Sequence, residues 1–250
     1  MKKALSLTSI FVALGCAHKG IHQMPRHSFE IPSPGWSVIQ HERDHQKRID
    51  NSLYLPNRRV QAHEFSGKAL ADFVSAMYAM MQKTSGIGIA ANQVGKNIQI
   101  FMLEAKPNNP RYQVLGPVPF AVFINPRIVK VSPERKNFWH ACLSAVGEKR
   151  GNVATYEWIE IEATDPQGNQ IHTRLDGLAA VIFQHEFRHM LGGTYLDRAT
   201  TFLTKEEFDR GLERSEIPFF EPTDDQLPLL IGDYHIGDSL EEHYTRQQSL

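Results

Sequence analysis

FQHEFRHMLGG, residues 183–193, is the stretch on which the reading of this chain turns. It places His185 and His189 four apart, with Glu186 directly after the first. On a helix, residues four apart stack on one face with Cβ atoms about 5–6 Å apart, so two imidazoles at that spacing can share one metal ion. Glu186 is offset by one position, close enough to reach a water at that ion without being a ligand. Residues 178–183 (LAAVIF) are apolar throughout, which predicts a helix buried on most sides. Two imidazoles and a carboxylate in such a helix are costly to bury unless something pairs with them. Asp176 is placed to cap the start of this helix, which runs to about Leu191, and Gly192-Gly193 to end it.

Two histidines do not complete a metal site. One source of a third ligand lies downstream at Glu206, Glu207 or Glu213, as in metalloproteases whose last ligand is a glutamate on a later helix. The other lies upstream at Cys142, in HACLSAVG (residues 140–147). Cysteine is the sharper choice because thiolate is a strong ligand. The chain has only two cysteines, Cys16 and Cys142; with Cys16 lipidated or removed on export, Cys142 is the only thiol left, and a lone thiol in an exported protein needs a reason, of which metal ligation is one.

Working outward, residues 66–85 have helical periodicity, with Leu70, Phe73, Val74, Met77 and Met81 at spacings of three and four. Ser66 is the expected cap and Gly86 the expected stop. Residues 98–103 (IQIFML) predict a buried strand. FAVFI (120–124) predicts another, broken at Asn125-Pro126 and resumed in RIVKV (127–131). Residues 156–175 predict a hairpin turning at DPQGN, and Thr204 caps an amphipathic helix to about Ser215. The fold class is therefore α+β, with small antiparallel sheets around one central HExxH helix.

The ends of the chain read differently. Residues 1–16 (MKKALSLTSIFVALGC) combine Lys2 and Lys3 with a short apolar run, the form of an export signal and too short for an ordinary membrane span. Ala13-Leu14-Gly15-Cys16 resembles a bacterial lipobox, which implies a lipid on Cys16 and an exported, membrane-anchored protein; the chain is cytoplasmic if that signal is not used. Residues 17–50 read as a tether, 51–215 as the metallohydrolase domain and 216–250 as an acidic, Pro-rich tail. A hydrophobic content of 41% is enough for a packed core, and a net charge of −1 gives no bulk field to attract nucleic acid.

Three stretches together point to a family. GIGIAANQ (86–93) resembles G-x-G-L-A-A-x-Q, HACLS (140–144) resembles E-G-C-L-S in its last three positions, and QHEFRH (184–189) resembles Q-H-E-x-D-H in all but one specified position. With FINPRIV (123–129) they stand in the order found in peptide deformylases, and the resemblance covers roughly residues 50–200. It implies that Cys142, His185 and His189 hold one divalent metal, Fe(II) or Zn(II), with water in the fourth position. The water attacks the formyl carbonyl of an N-formylated peptide, with Glu186 as general base and then acid, and formate is released. The Gln93 side-chain amide and the Leu143 backbone N–H would stabilise the oxyanion. Gly86, Ile87 and Gly88 would line the path of the substrate. Ile87, Leu178, Val181 and Ile182 are either a pocket for a methionine-like side chain or simply core.

Two positions depart from the pattern. His140-Ala141 replace Glu-Gly, and Arg188 replaces the aspartate between the histidines. Arg188 is expected to point away from the metal and pair with Glu148, Glu157 or Asp197. The competing readings are a non-catalytic deformylase-like lipoprotein and an HExxH metalloprotease.

Overall fold

The computed structural model describes residues 26–33, 35–108, 115–218, 221–222 and 227–249. The export signal, the lipobox and Cys16 lie outside the described residues, as does part of the tether.

The first long element is α1, Lys68–Lys83, which buries Leu70, Phe73, Met77 and Met81. Its cap is Gly67 rather than Ser66. Ser66 adopts a left-handed φ of 58° and donates instead to the Gln167 carbonyl at 3.0 Å. At the other end Ser85, not Gly86, takes the left-handed conformation (φ 54°), and the Gly86 N–H closes back on Met81 O at 2.9 Å.

Two antiparallel sheets follow. One contains β1 (Gly88–Ala90), β2 (Ile100–Ala105), β3 (Val118–Val131), β6 (Trp158–Thr164) and β7 (Gln170–Asp176), in the order β1-β2-β3-β6-β7. The other contains β4 (Arg135–His140), β5 (Arg150–Tyr156), β8 (Thr201–Leu203) and β9 (Glu221–Pro222), in the order β8-β5-β4-β9. The β6–β7 hairpin matches expectation. The break at Asn125-Pro126 does not occur: β3 continues through it with a register shift between Ile124 and Arg127. Asn125 has a φ of 52°, and its side chain takes the Val60 N–H at 2.8 Å and donates to the Val60 carbonyl at 2.9 Å. A bulge with its own hydrogen bonds keeps the strand going where proline would otherwise end it.

The central helix is α2, Gly177–Met190. Its apolar start packs on the first sheet, where the Phe183 ring lies 4.9 Å from Phe101 and 5.0 Å from Phe123. Asp176 occupies the cap position but makes no capping bond; Arg174 holds its carboxylate at 2.7 Å. Gly192, at φ 81°, supplies the left-handed step that ends the helix. Thr204 caps α3, Lys205–Glu213, through a reciprocal pair with Glu207, as expected.

Both ends of the chain differ from expectation. The described part of residues 26–50 is not a free tether, since Phe29 packs tilted against Phe73 of α1 at 5.4 Å and Trp36 meets it edge-on at 5.3 Å. Nor is the C-terminal segment a loose tail. It contains α4, Leu240–Gln247, and buries Leu230, Ile231, Tyr234 and Leu240 in the same core as α2. Tyr234 meets Phe187 edge-on at 4.9 Å, and the Tyr244 hydroxyl donates to the Met190 carbonyl at 2.6 Å. Leu230 and Ile231 belong to a short apolar run, LPLLI (227–231), closed by Gly232, and Tyr234 and Leu240 follow without extending it into a period.

Candidate metal centre and active site

α2 presents His185 and His189 on one face, and the turn after β4 brings Cys142 against them. Ligand atoms of the three residues lie within 4.8 Å of one another, and Cys142 Sγ is 3.2 Å from His189 Nε2. It is the one such cluster of histidine, cysteine and acidic groups among the described residues. The downstream candidates are not part of it: Glu206, Glu207 and Glu213 belong to α3, where Glu207 is occupied in capping.

The chemistry of these donors fits a divalent metal. Burial, with Glu186 adding to it, pushes the Cys142 thiol up to about 12, although donors from Ser144 and Gln93 work in the other direction. A thiolate there needs a cation beside it. Burial lowers His185 to about 4 and His189 well below its usual value, so both imidazoles are neutral, as ligation requires. His185 Nδ1 lies 3.0 Å from His140 Nδ1, which leaves Nε2 to face the cluster. His140 thus stands where it can orient a ligand, and burial keeps it neutral. Asn92 donates to the His189 carbonyl at 2.7 Å and ties the helix to the Gln93 turn.

Glu186 is 3% exposed, and its Oε2 has no hydrogen-bond partner among the described residues. Burial pushes its carboxyl well above the usual carboxylate range. Gly88 is packed directly on it: a Cβ there would come 2.3 Å from Glu186 Oε1. The glycine is needed for space, not for its φ. Gln93 is buried, with its Oε1 accepting the Ala90 N–H at 2.8 Å. Its Nε2 donates to Ser144 Oγ at 3.0 Å and faces Cys142 Sγ at 3.5 Å.

Gly86, Ile87, Gly88, Leu143, Leu178, Val181 and Ile182 line a cleft of about 450 Å³ beside Glu186, Cys142 and His185. Leu178, Val181 and Ile182 are each 3% exposed, so they serve as core and as cleft wall together. His140, Ser144 and Asn92 fall inside the motifs but carried no assigned role there, and Phe138 lies outside them; all four border the site or hold its residues. The departure from the family pattern at position 140 was the available sign for His140.

Arg188 points away from the cluster, as expected, but to a different partner. Its Nη1 donates to both carboxylate oxygens of Asp233, at 2.9 and 2.7 Å, and Arg198 reaches the same carboxylate at 2.8 Å. The three expected partners are engaged elsewhere: Glu148 with His41 and Arg43, Glu157 with Lys136, and Asp197 with Arg48. Asp233 comes from the segment after residue 226, whose packing against α2 was not foreseen. Burial would raise the Asp233 carboxyl, but Arg188 and Arg198 together hold it below the ordinary aspartate value.

The family model of polypeptide deformylases matches residues 47–205. Peptide deformylase 2 of a Nostoc species is 37% identical over 142 residues, covering 56% of this chain and 78% of that protein. Peptide deformylase 2 of Pseudomonas putida is 33% identical over 177 residues, covering 70% of this chain and 98% of its own. Among solved structures, the class I type b peptide deformylase of Acinetobacter baumannii with Met-Ala-Ser bound aligns with a TM-score of 0.59 at 30% identity. It covers 65% of this chain and 96% of its own. With the fold, the motif order and the Cys-His-His cluster in agreement, this chain belongs to the peptide deformylase family and is a metal-dependent hydrolase.

Proposed function

We propose that this protein removes the N-formyl group from formyl-methionyl peptides, releasing formate and a free amino terminus. The observation that carries the reading is the cluster of Cys142, His185 and His189 ligand atoms, within 4.8 Å of one another and beside the buried Glu186 at the wall of an apolar cleft. The Acinetobacter relative holds Met-Ala-Ser, which has the form of a deformylated product. The cleft walls Ile87, Leu178, Val181 and Ile182 suit a methionine side chain.

Held by Cys142, His185 and His189, Fe(II) or Zn(II) supplies Lewis acidity that polarises water and the formyl carbonyl. The remaining steps belong to the protein. Glu186 takes a proton from the attacking water as the new C–O bond forms, and its raised affinity for protons suits that task. It then gives the proton to the peptide nitrogen as the C–N bond breaks. The Gln93 amide and the Leu143 N–H stabilise the negative charge that develops on the formyl oxygen. Gln93 Nε2 donates to Ser144 Oγ at 3.0 Å and to Cys142 Sγ at 3.5 Å, and the second of these N–H groups would turn to the oxyanion when substrate is bound. β1 is the edge strand of its sheet, so the side of Gly86, Ile87 and Gly88 turned away from β2 could take an extended peptide.

The test is formate release from formyl-Met-Ala-Ser and acetyl-Met-Ala-Ser by the metal-loaded protein. Release from the formyl peptide alone supports the reading. Metal at one equivalent with no formate from any formyl peptide overturns it.

We propose further that the protein is exported and held at a membrane by a lipid on Cys16. Support comes from Lys2-Lys3, the apolar run after them and the Ala13–Cys16 sequence. Among the described residues no helix is long and apolar enough to cross a membrane. The substrates would then be formyl peptides that have left the cytoplasm. Fatty-acid labelling lost in Cys16→Ser supports this anchor, and labelling that persists contradicts it.

A further inference from the structure

The two oxyanion donors come from different loops. Gln93 follows β1 and Leu143 follows β4. Donors of this kind act only if they are fixed where charge will develop, and loops are by default the more mobile parts of a fold. Within the matched family region, the Gln93 side chain joins the two loops near the site, its Nε2 donating to Ser144 Oγ at 3.0 Å and to Cys142 Sγ at 3.5 Å.

A second connection comes from outside that region. Residues 38–41 lie across both loops. The Ile39 N–H donates to the Gln93 carbonyl at 2.7 Å, and the His41 N–H donates to the Ser144 carbonyl at 2.7 Å. Between them, the Gln40 side chain spans the Cys142 loop itself. Its Nε2 donates to the Leu143 carbonyl at 3.1 Å and its Oε1 accepts the Val146 N–H at 3.0 Å. Gln40 is held in turn by Asn51 Nδ2, which donates to its carbonyl at 2.8 Å. The segment is anchored on either side, by Trp36 on Phe73 and by His41 on Glu148 at 3.0 Å. The Leu143 carbonyl lies in one rigid plane with the Ser144 N–H, so holding Leu143 O and Val146 N constrains the turn from Leu143 to Val146, one peptide group after the Leu143 N–H.

We propose that residues 38–41 form a strap that sets the separation of the Gln93 and Cys142 loops, and that Gln40 is a positioning residue for deformylation. This rests on the deformylase reading given above. Gln40 is not among the residues that line the cleft and reaches it through the Leu143 carbonyl, so its effect passes through the turn. It belongs to kcat, not to metal binding or to KM.

The experiment compares the full-length, metal-loaded protein with Gln40→Met, which keeps length and removes both side-chain bonds. Amide hydrogen exchange, metal content and formate-release kinetics are measured on the same samples. Exchange at Val146 is expected to rise about tenfold, the loss of about one ordinary hydrogen bond. The value of kcat is expected to fall about 3–10-fold, with KM and metal content unchanged, because small displacements of catalytic donors are costly. Unchanged exchange at Val146 overturns the strap. So does unchanged kcat in a variant whose Val146 amide has become labile. Should the parent protein release no formate, the deformylase reading fails on its own and the exchange result still decides whether the strap holds the turn.

Discussion

α2 is held on two sides by segments of very different character. On one side, residues 86–93 and 142–144 meet it with glycines, an amide and a thiol whose identities the chemistry dictates. On the other, residues 227–249 meet it with Asp233, Tyr234 and Tyr244, through an ion pair, a ring contact and a hydroxyl on the Met190 carbonyl. The first side supplies reacting groups, and few residue types can replace them. The second supplies support, and many combinations could have done so. Arg188 joins the two: it stands between the ligand histidines in sequence, yet its charge is neutralised on the supporting side.

The largest effect expected is on the reacting side. Glu186→Gln should lower kcat by about a thousandfold while the protein keeps its metal, as assays of formate and elemental analysis would show. An activity within tenfold of the parent would remove Glu186 from the proton-transfer role. Gly88→Ala comes next. Its new Cβ would have to displace the Glu186 carboxylate, so kcat should fall about 10–100-fold with little change in fold. Normal turnover would mean that the carboxylate has another working position.

On the supporting side the expected effects fall on stability. Asp233→Asn leaves Arg188, only 7% exposed, short of its partner and should cost about 1–3 kcal/mol in denaturant unfolding, below the range of about 3–5 kcal/mol for breaking a fully buried pair because Asp233 keeps some solvent. Arg188→Asp should be worse, since it sets two carboxylates against each other. Adding Asp233→Arg should recover part of the loss; no recovery would mean that the pair is not coupled.

The smallest effect is a pH dependence. Asp233 has its pKa depressed in the folded protein, so the pair contributes stability above the unfolded value of about 3.9 and loses it as the pH falls through the folded value. Metal-free parent protein should therefore lose more stability between about pH 4 and pH 2 than metal-free Asp233→Asn. Parallel curves would separate Asp233 from the acid response.

The same contrast explains what the sequence could show. Residue type and spacing are visible in a sequence, so the gathering of Cys142, His185 and His189, with Glu186 and Gln93 beside them in one cleft, could be anticipated. Local turn chemistry was partly legible: Thr204 caps as expected, while Ser66 and Asp176 find nonlocal or side-chain partners that compete with capping. The β4–β5 pair was missed because β5 is buried along most of its length and carries small and polar residues, which hides any alternation. The packing of residues 26–50 and 227–249 was missed because each contributes a few large side chains to a core made elsewhere. The partner of Arg188 was unreadable for the same reason: Asp233 is one acidic residue among many, and only the docking of its segment selects it.

The account rests on Cys142 as the third ligand, which is what separates a deformylase site from a metalloprotease site. The direct test is metal stoichiometry and formate release measured on one preparation each of parent, Cys142→Ala and Glu207→Ala. The prediction is that Cys142→Ala loses both the metal and formate release, while Glu207→Ala, whose side chain caps α3, keeps both. Full metal occupancy in Cys142→Ala together with loss of metal in Glu207→Ala would contradict it.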